Sequence, residues 1–401
     1  MGGIKIRIQS LARNALIISA LSLILINCAS TAKEAQNKQP QLYQSHSFPS
    51  IDKARTPRLS SLSNGMLLSW VDISSPVKKL KFSRFIDNQW SKPQIVQQGT
   101  NWFINYADYA SITALDDSHY VASWLEHTGR RWIDYRFLVS QSFDAGKSWS
   151  KPSSPIANNI KGQNGFLSVQ INGSNPLFVW ISSIGKDYAV QSASLNSKGE
   201  WLNLETVDTS SCSCCHTDMS RFGDQILMVY RDRTQDEIRD ISLASLKNDQ
   251  WKEQSIIEND GWKINGCPVN GPSITATESG YVIIWFSAAN DIPAVKIKSF
   301  SVLAEEQTKT LGDDKVSGRV DSAKVSESQV MMIWLSENKK TTVNLQMIDL
   351  KNNNFSPEQS FPIENGVIGF PSISVFQNRL YITYETLKHE IKMLELGIES
   401  F

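Results

Sequence analysis

Three cysteines and a histidine lie together in one short segment: Cys212, Cys214, Cys215 and His216, with Cys267 further along the chain. In an oxidising compartment these four cysteines could form two disulfides, for example one within the segment and one to Cys267. The thiolates and the imidazole could instead hold a soft or borderline metal ion such as copper(I) or zinc, the cofactors that this cluster suggests. A third interpretation is a redox-active or nucleophilic thiol, with a pKa lowered by a nearby arginine or histidine. Unpaired buried thiols are the remaining alternative.

The elements that carry these residues recur along the chain. Seven units, about 50 residues apart, each contain a short strand, a polar turn and an apolar strand that ends in Trp or Tyr. They span 57–70, 109–124, 166–180, 218–230, 272–285, 320–334 and 371–384. Such repeats predict an all-β fold, a β-propeller with four-stranded blades. We predict seven blades, with six as the alternative, and expect residues 42–50 to supply the strand that the seventh unit lacks.

Several polar residues occupy the start of the first strand in these units. Because propeller blades surround a central channel, we expect these residues to converge on one axial pocket. They are Arg55, Asp108, Asn164, His216, Asp218, Cys267, Asn270, Arg319 and Asp321. Asn164, Asp218, Asn270 and Asp321 are the candidates for binding a small ligand.

One turn carries the pattern S-x-D-x-G-x-x-W, formed by Ser142, Asp144, Gly146 and Trp149. It resembles the Asp-box of sialidases and other BNR-repeat propellers. That motif is structural: Ser and Asp tie the turn to its backbone, Gly takes a positive φ, and Trp packs between strands. Further segments are similar to a bacterial subfamily of sialidase-like lipoproteins with CxCC and GCPVNGP signatures. They are 102–108, 212–218, 230–240, 261–272 and 318–321.

The resemblance to sialidases implies a set of catalytic groups. Sialidases bind the substrate carboxylate with arginines, because a guanidinium donates two parallel charge-assisted hydrogen bonds. Arg55 corresponds to the first of these arginines, and the further candidates are Arg231, Arg239 and Arg319. Asp108 corresponds to an acid/base, whereas the tyrosine nucleophile and its glutamate are not identifiable. The alternatives are a turn-anchoring salt bridge for Arg55 and an ion-paired turn around Arg231 and Arg239.

The N-terminus is predicted to be a targeting segment. A basic head precedes an apolar run at 15–26, which is typical of a signal peptide and short for a membrane span of roughly 20 residues. The run ends in a segment that resembles the bacterial lipobox, which implies cleavage before Cys28 and lipidation of that cysteine, with plain secretion as the alternative. Ala29 after it implies sorting to the outer membrane. We expect a signal peptide at 1–27, a flexible tether at 28–41 and one propeller domain at 42–401.

The composition bounds the function. Of 401 residues, 40 are Lys or Arg and 40 are Asp or Glu, so the chain lacks the basic excess of a nucleic-acid-binding protein. The sequence predicts a monomeric cell-envelope lipoprotein, held to the outer membrane by its lipid and facing the periplasm or the cell surface. Its axial pocket would bind a small molecule, a glycan or a soft metal. The alternative is an exo-sialidase-type glycoside hydrolase acting on sialic-acid-like sugars.

Overall fold

The computed structural model describes residues 43–44, 51–252, 255–312 and 315–401. These residues form β-strands and two short 3-10 helices, Ala289–Asp291 and Ile398–Ser400. No helix in this part of the chain has the length and apolar character needed to cross a membrane. The all-β prediction is confirmed. The predicted signal peptide, the lipidated Cys28 and the tether lie outside the described residues.

The strands form six hydrogen-bonded sheets. The first contains β2 (Ala54–Leu62), β3 (Gly65–Asp72), β4 (Lys78–Ile86), β5 (Gln89–Trp90) and β6 (Gln94–Gly99). The second contains β7 (Ser111–Ala114), β8 (Tyr120–His127), β9 (Tyr135–Ser142), β10 (Gln163–Asn172), β11 (Asn175–Ile184), β12 (Asp187–Leu195) and β13 (Trp201–Asp208). The third contains β14 (Asp218–Phe222), β15 (Gln225–Arg231), β16 (Ile241–Lys247), β17 (Gln250–Trp251) and β18 (Ser255–Ile256).

The remaining sheets follow in chain order. The fourth contains β19 (Ser273–Thr277), β20 (Gly280–Ser287), β21 (Ala294–Ser301) and β22 (Gln307–Leu311). The fifth contains β23 (Val316–Lys324), β24 (Gln329–Glu337), β25 (Thr341–Asp349), β26 (Asn354–Phe355) and β27 (Gln359–Pro362). The sixth contains β28 (Ile368–Phe376), β29 (Arg379–Glu385), β30 (Ile391–Gly397) and β1 (Tyr43–Gln44).

The propeller prediction is confirmed, but the predicted blade count is wrong. The prediction was seven blades, with six as the alternative. In the structure, five of the described sheets have the four or five strands of a separate blade. The remaining sheet has seven strands, because β9 and β10 pair in parallel, with Gln163 opposite Tyr135 and Asn164 opposite Arg136. This pairing joins the predicted second and third units edge to edge in one sheet.

The last sheet is completed from the other end of the chain. β1 pairs antiparallel with β30, with Tyr43 opposite Glu395 and Gln44 opposite Leu394. The prediction that a strand within 42–50 joins the seventh unit is therefore confirmed. The pairing covers an edge that would otherwise expose unpaired backbone groups.

Buried aromatics pack the sheets against one another. The second strand of every unit carries one that is at most 6% exposed: Trp70, Trp124, Trp180, Tyr230, Trp285, Trp334 and Tyr384. Trp70 of the first sheet packs with Tyr381 of the sixth, and Trp285 of the fourth packs with Val229 of the third. Burying an aromatic side chain removes about 150–250 Å² from water, worth roughly 4–6 kcal/mol. These contacts hold neighbouring sheets face to face and so position their first strands around the axis.

Candidate functional site

Several residues at the entry to the first strands have a left-handed backbone. Thr56 (φ 52°), Phe166 (φ 55°), Val269 (φ 49°) and Arg319 (φ 55°) all adopt it, although β-branched and bulky residues rarely do so. The strand register shifts around Thr56, Phe166 and Arg319, and such bulges re-aim side chains. Conformations of this kind cost about 1–3 kcal/mol each and cluster at functional sites. This end of the channel is therefore the candidate site.

Three predicted site carboxylates connect neighbouring units. Each accepts a hydrogen bond from a backbone N–H of the first strand in the next unit. The pairs are Asp108 with Phe166 (2.8 Å), Asp218 with Ile274 (2.9 Å) and Asp321 with Ile373 (3.2 Å). Burial raises the pKa of Asp108 and of Asp218 to about 7, and it also raises the pKa of Asp321. These carboxylates satisfy buried backbone donors and fasten adjacent units together.

Asp108 also pairs with a tyrosine that the sequence analysis missed. The phenol of Tyr135 donates a hydrogen bond to Asp108 Oδ2 over 2.7 Å, and the Tyr135 ring stacks on Phe103 with centroids 4.3 Å apart. Burial, together with the negative charge of Asp108, raises the pKa of Tyr135 well above its ordinary value. The phenol therefore stays protonated, whereas Asp108 can exchange a proton near neutral pH. The sequence analysis missed this pair because Asp108 and Tyr135 are 27 positions apart and no local pattern links them.

A second group that the sequence analysis missed lies inside the channel. Arg58 donates hydrogen bonds to Asp321 Oδ2 (3.3 Å) and to the carbonyl of Pro371 (3.2 Å). Its guanidinium lies 4.6 Å from the centre of the Tyr109 ring. Arg58, Tyr109 and Asp218 line one cavity of about 320 Å³ between the first strands. The sequence analysis could have found Arg58 because it lies inside the first strand of a unit. However, the alternation of side chains along a strand does not show which face of the sheet meets the channel.

Arg55 forms the salt bridge that was the alternative to a ligand clamp. Its Nε lies 2.5 Å from Oε1 of Glu385, a side chain that is 1% exposed. Glu385 also accepts a hydrogen bond from the backbone N–H of Thr56 (3.0 Å) and contacts His389 Nδ1 at 2.7 Å. Arg55 therefore joins the start of the first sheet to the end of β29.

Arg231 and Arg239 are also engaged inside the protein. The guanidinium of Arg231, which is 1% exposed, donates to three backbone carbonyls, those of Asn270 (2.9 Å), Arg239 (2.6 Å) and Phe286 (2.6 Å). Arg239 forms an ion pair with Glu237 at 2.7 Å. Arg239 therefore lies in the ion-paired turn that the sequence analysis gave as the alternative, whereas Arg231 is held by backbone carbonyls and forms no ion pair among the described residues.

Arg319 is held differently from the other three. Its guanidinium lies between two aromatic rings, 5.4 Å from the centre of Tyr106 and 4.9 Å from that of Phe370. It donates to the carbonyl of Val269, and its backbone N–H donates to Asn270 Oδ1 over 2.9 Å. Six arginines form ion pairs with carboxylates in the described part of the chain, and Arg319 is not one of them. Burial lowers the pKa of Arg319, because the charged form has lost water.

Of the remaining candidates, Asn270 and His216 lie near Arg319, whereas Asn164 is engaged elsewhere. Asn270 bridges to the next unit, since its side-chain amide donates to the carbonyl of Ser317 over 3.2 Å. The His216 ring packs edge-on against Phe370 with centroids 4.7 Å apart. Burial, and then the charges of three arginines, lower the pKa of His216 to about 3, so the ring is neutral at physiological pH. Asn164 is 1% exposed, and its side-chain oxygen accepts a hydrogen bond from Ser182.

The cysteines form one disulfide, between Cys214 and Cys267. The predicted link between the cysteine segment and Cys267 is thus present, whereas Cys212 and Cys215 are buried free thiols. The sulfurs of Cys212, Cys214 and Cys215 lie within 4.8 Å of one another. However, the Cys214 sulfur is bonded to Cys267 and is not a thiolate donor. The residues in this oxidation state therefore do not fit the copper or zinc site that was the second alternative.

Aromatic side chains line a cleft above the disulfide. The cleft has a volume of about 390 Å³, and its lining includes Tyr106, Trp132, Tyr188, Cys267 and Val269. Trp132 is 70% exposed, which is unusual for so large an apolar side chain. Tyr106 and Val269 also contact the Arg319 side chain. The cleft therefore adjoins Arg319, an arginine that forms no ion pair with a carboxylate of the described residues.

The turn with the S-x-D-x-G-x-x-W pattern has the geometry expected of it. Ser142 Oγ accepts a hydrogen bond from the N–H of Gly146, and Asp144 Oδ1 accepts one from the N–H of Ser148, both over 2.8 Å. Gly146 has a φ of 83°, and a Cβ at that position would lie 2.4 Å from Phe82. The Trp149 ring packs edge-on against the same Phe82. The motif therefore stabilises the turn after β9 and packs it against β4 of the first sheet.

No family model and no curated protein matches the chain. Solved structures similar to it include a protein of unknown function from Dyadobacter fermentans, at 12% identity over 74% of this chain and 93% of that chain, with a TM-score of 0.49. Another is the GH93 alpha-L-arabinofuranosidase of Fusarium graminearum, at 12% identity over 75% and 96%, with a TM-score of 0.49. A mutant of the NanB sialidase from Streptococcus pneumoniae matches at 11% identity over 90% and 71%, with a TM-score of 0.45. At these values the similarity concerns the fold and does not extend to a substrate or a reaction.

Proposed function

We propose that this protein binds a small carboxylate-bearing sugar, or a similar anionic glycan fragment, in the aromatic cleft. The observation that carries the proposal is Arg319. Its guanidinium is partly buried between Tyr106 and Phe370, and no carboxylate among the described residues pairs with it. A cation that has lost part of its water and has no carboxylate in direct contact favours an anionic ligand, because the ligand would supply a close negative charge.

The cleft supports a ring-shaped ligand. Aromatic rings present flat apolar faces with negative electrostatic potential, which suit the CH face of a sugar ring. Trp132 and Tyr106 are the exposed rings of the cleft, with exposed fractions of 70% and 36%. A planar guanidinium can bind a carboxylate through two parallel hydrogen bonds, which would orient the ring between them. The left-handed backbone of Arg319 would fix the direction of its side chain.

The binding test compares acidic and neutral sugars. Titration calorimetry with N-acetylneuraminic acid, glucuronate and galacturonate, and with galactose as the neutral probe, should give binding for at least one acidic sugar only. Arg319→Gln should weaken that binding about 10- to 100-fold, because a hydrogen-bonded charge contributes about 1.5–3 kcal/mol. Arg319→Lys should recover part of the affinity, since lysine keeps the charge but not the two-pronged geometry.

A matched variant controls for the loss of positive charge near the cleft. Arg131 lies next to Trp132 in the sequence and pairs with Asp134 at 2.6 Å, so Arg131→Gln should leave the affinity unchanged. Equal binding of galactose, or affinity for acidic sugars that survives in Arg319→Gln, would contradict the proposal. The absence of binding to every acidic sugar would contradict it as well.

A second candidate function is glycoside hydrolysis, which the Asp108–Tyr135 pair favours. A carboxyl group with a pKa of about 7 is suited to both donating and accepting a proton near neutral pH. Tyr135 would hold that carboxyl in place and would not act as a nucleophile in its protonated state. Aryl glycosides of acidic sugars would be hydrolysed by the wild type and not by Asp108→Asn. If the wild type hydrolyses none of them, this candidate fails while the binding proposal stands.

We also propose that Cys28 carries a lipid that anchors the protein in the cell envelope, on the outer membrane. The support is the sequence pattern around Cys28, which lies outside the described residues. Cells fed a labelled fatty acid should incorporate it into the wild-type protein and not into Cys28→Ala. Incorporation into both forms, or into neither, would contradict the proposal.

A further inference from the structure

The proposed ligand site leaves the two free cysteines unused. Cys212 and Cys215 are both buried, with exposed fractions of 0% and 2%. The Sγ of Cys212 lies 3.8 Å from the Sγ of Cys214, and Cys214 is bonded to Cys267. A free sulfur therefore lies in van der Waals contact with one atom of a disulfide. This is the arrangement from which thiol–disulfide exchange begins.

A guanidinium contacts the sulfur of Cys212 directly. The Nη1 of Arg239 lies 3.5 Å from Cys212 Sγ. Burial opposes ionisation of Cys212, but hydrogen bonds from Cys215 and Cys214 and the charges of Arg231 and Arg239 outweigh it and lower the pKa to about 6. Burial and the neighbouring Cys212 sulfur raise the pKa of Cys215 well above its ordinary value. Since the thiolate is the attacking form, Cys212 and not Cys215 is the nucleophile.

We propose that Cys212 exchanges internally with the Cys214–Cys267 disulfide. The Sγ of Cys212, as a thiolate, attacks the Sγ of Cys214, and a bond forms between these two atoms. The bond between Cys214 and Cys267 breaks, and its electron pair leaves on the Sγ of Cys267. That thiolate takes up a proton from water, which replaces the proton that Cys212 released. The step consumes no oxidant or reductant, because one disulfide and one thiol are present before and after it.

The exchange moves a reactive thiol from the interior to the cleft. Cys212 is inaccessible, whereas Cys267 is exposed and lines the aromatic cleft. Cys267 also lies two positions before Val269, whose carbonyl accepts the Arg319 hydrogen bond. After the exchange, the loop that carries Val269 is no longer tied by the disulfide to the segment that precedes β14. We infer a latent thiol at the cleft wall that can form mixed disulfides with small thiols. This inference does not depend on the proposed sugar ligand.

The test traps the released thiol in the folded full-length protein. The protein is purified without reductant, incubated with excess iodoacetamide at about pH 8, quenched in acid, unfolded, and labelled with N-ethylmaleimide. Trypsin then separates Cys267 from Cys212, Cys214 and Cys215, because Arg221 and Lys263 lie between them. Mass spectrometry of the peptides shows which label each cysteine carries and which pair is oxidised.

In the wild type, the iodoacetamide label on Cys267 should increase with time. The partner peptide should then contain a Cys212–Cys214 disulfide and maleimide on Cys215. In Cys212→Ser, Cys267 should stay bonded to Cys214 and unlabelled. Cys215→Ser is the matched control, since it removes a neighbouring thiol but not the nucleophile, and it should label Cys267 as the wild type does.

Three labelling outcomes would overturn the proposal. One is wild-type protein in which Cys267 never acquires the first label. Another is equal labelling of Cys267 in Cys212→Ser, and the third is loss of labelling in Cys215→Ser. The disulfide recovered from the wild type is a readout that does not depend on the folding of any variant. A Cys212–Cys215 bond in place of the Cys212–Cys214 bond would likewise contradict the mechanism.

Discussion

The pair of Arg55 and Glu385 allows the structural role of Arg55 to be measured. Glu385 is 1% exposed and contacts Arg55, Thr56 and His389, whereas Arg55 is 19% exposed. Arg55→Met would leave a buried carboxylate without its cation, which costs about 3–5 kcal/mol in buried pairs. We expect about 3 kcal/mol, the lower end, because the donors on Thr56 and His389 remain. Glu385→Gln would leave a guanidinium that can regain water contacts, so we expect a smaller loss of about 2 kcal/mol.

The double variant then isolates the interaction. If the pair anchors the first sheet, Arg55→Met with Glu385→Gln should lose about 1–2 kcal/mol less than the sum of the two single losses. Urea unfolding, monitored by tryptophan fluorescence, measures the free energy of unfolding of the wild type, the two single variants and the double variant. The same cycle on Lys324 and Glu278, which are 44% and 60% exposed, should give a coupling of about 0.5 kcal/mol or less. Single losses at the first pair that add within about 0.5 kcal/mol would refute the reasoning and leave Arg55 available as a ligand clamp.

Further predictions concern the carboxylates and the turns. Gly165→Ala would place a Cβ 2.0 Å from Asp108 Oδ2 and should reduce the free energy of unfolding by about 1–3 kcal/mol. Gly266→Ala is the control, because a Cβ at that position has room and should leave the free energy of unfolding unchanged. Equal losses for the two variants in urea unfolding would contradict this prediction. Because the pKa values of Asp108 and Asp218 in the folded protein are raised to about 7, the native state binds more protons than the unfolded chain between about pH 4 and pH 7. These two groups should therefore make the fold less stable as the pH rises through that range. Asp108→Asn should make the free energy of unfolding depend less steeply on pH. Urea titrations at several pH values measure this dependence, and an unchanged slope in the variant would argue against the prediction. Ser142→Ala removes a turn acceptor and should cost about 1 kcal/mol in thermal unfolding, so an unchanged melting temperature would show that the turn does not depend on it.

The sequence predicted the strands better than their assembly. The recurring aromatics identify the second strand of each unit correctly, because a side chain such as Trp180 or Trp334 is stable only where two sheets cover it. The blade count was wrong for a different reason. The parallel pairing of Tyr135 with Gln163 depends on the path of the loop between β9 and β10, and no local pattern encodes that path.

The sequence indicated which of the candidate residues lie near one another better than which groups they contact. Arg319, Asn270 and His216 do lie together, as the repeat register indicated. The sequence analysis could not assign Glu385 to Arg55, because 330 positions separate them, nor could it read a positive φ at Thr56, a residue type that rarely adopts one. It also left the cysteine pairing open, since spacing alone does not determine which sulfurs meet.

The strand β1 has a consequence for the order of folding. Its pairing joins position 43 to position 395, so the last sheet lacks this strand until β30 is available. Contacts that span almost the whole chain form late, since closing so long a loop costs conformational entropy before any contact compensates for it. A partly synthesised chain would therefore carry an unpaired β1, which could pair with β30 of a second, completed copy. Because strands from the two ends of the described chain meet in the last sheet, completion of the chain, and not the formation of any single sheet, is the step that closes this edge.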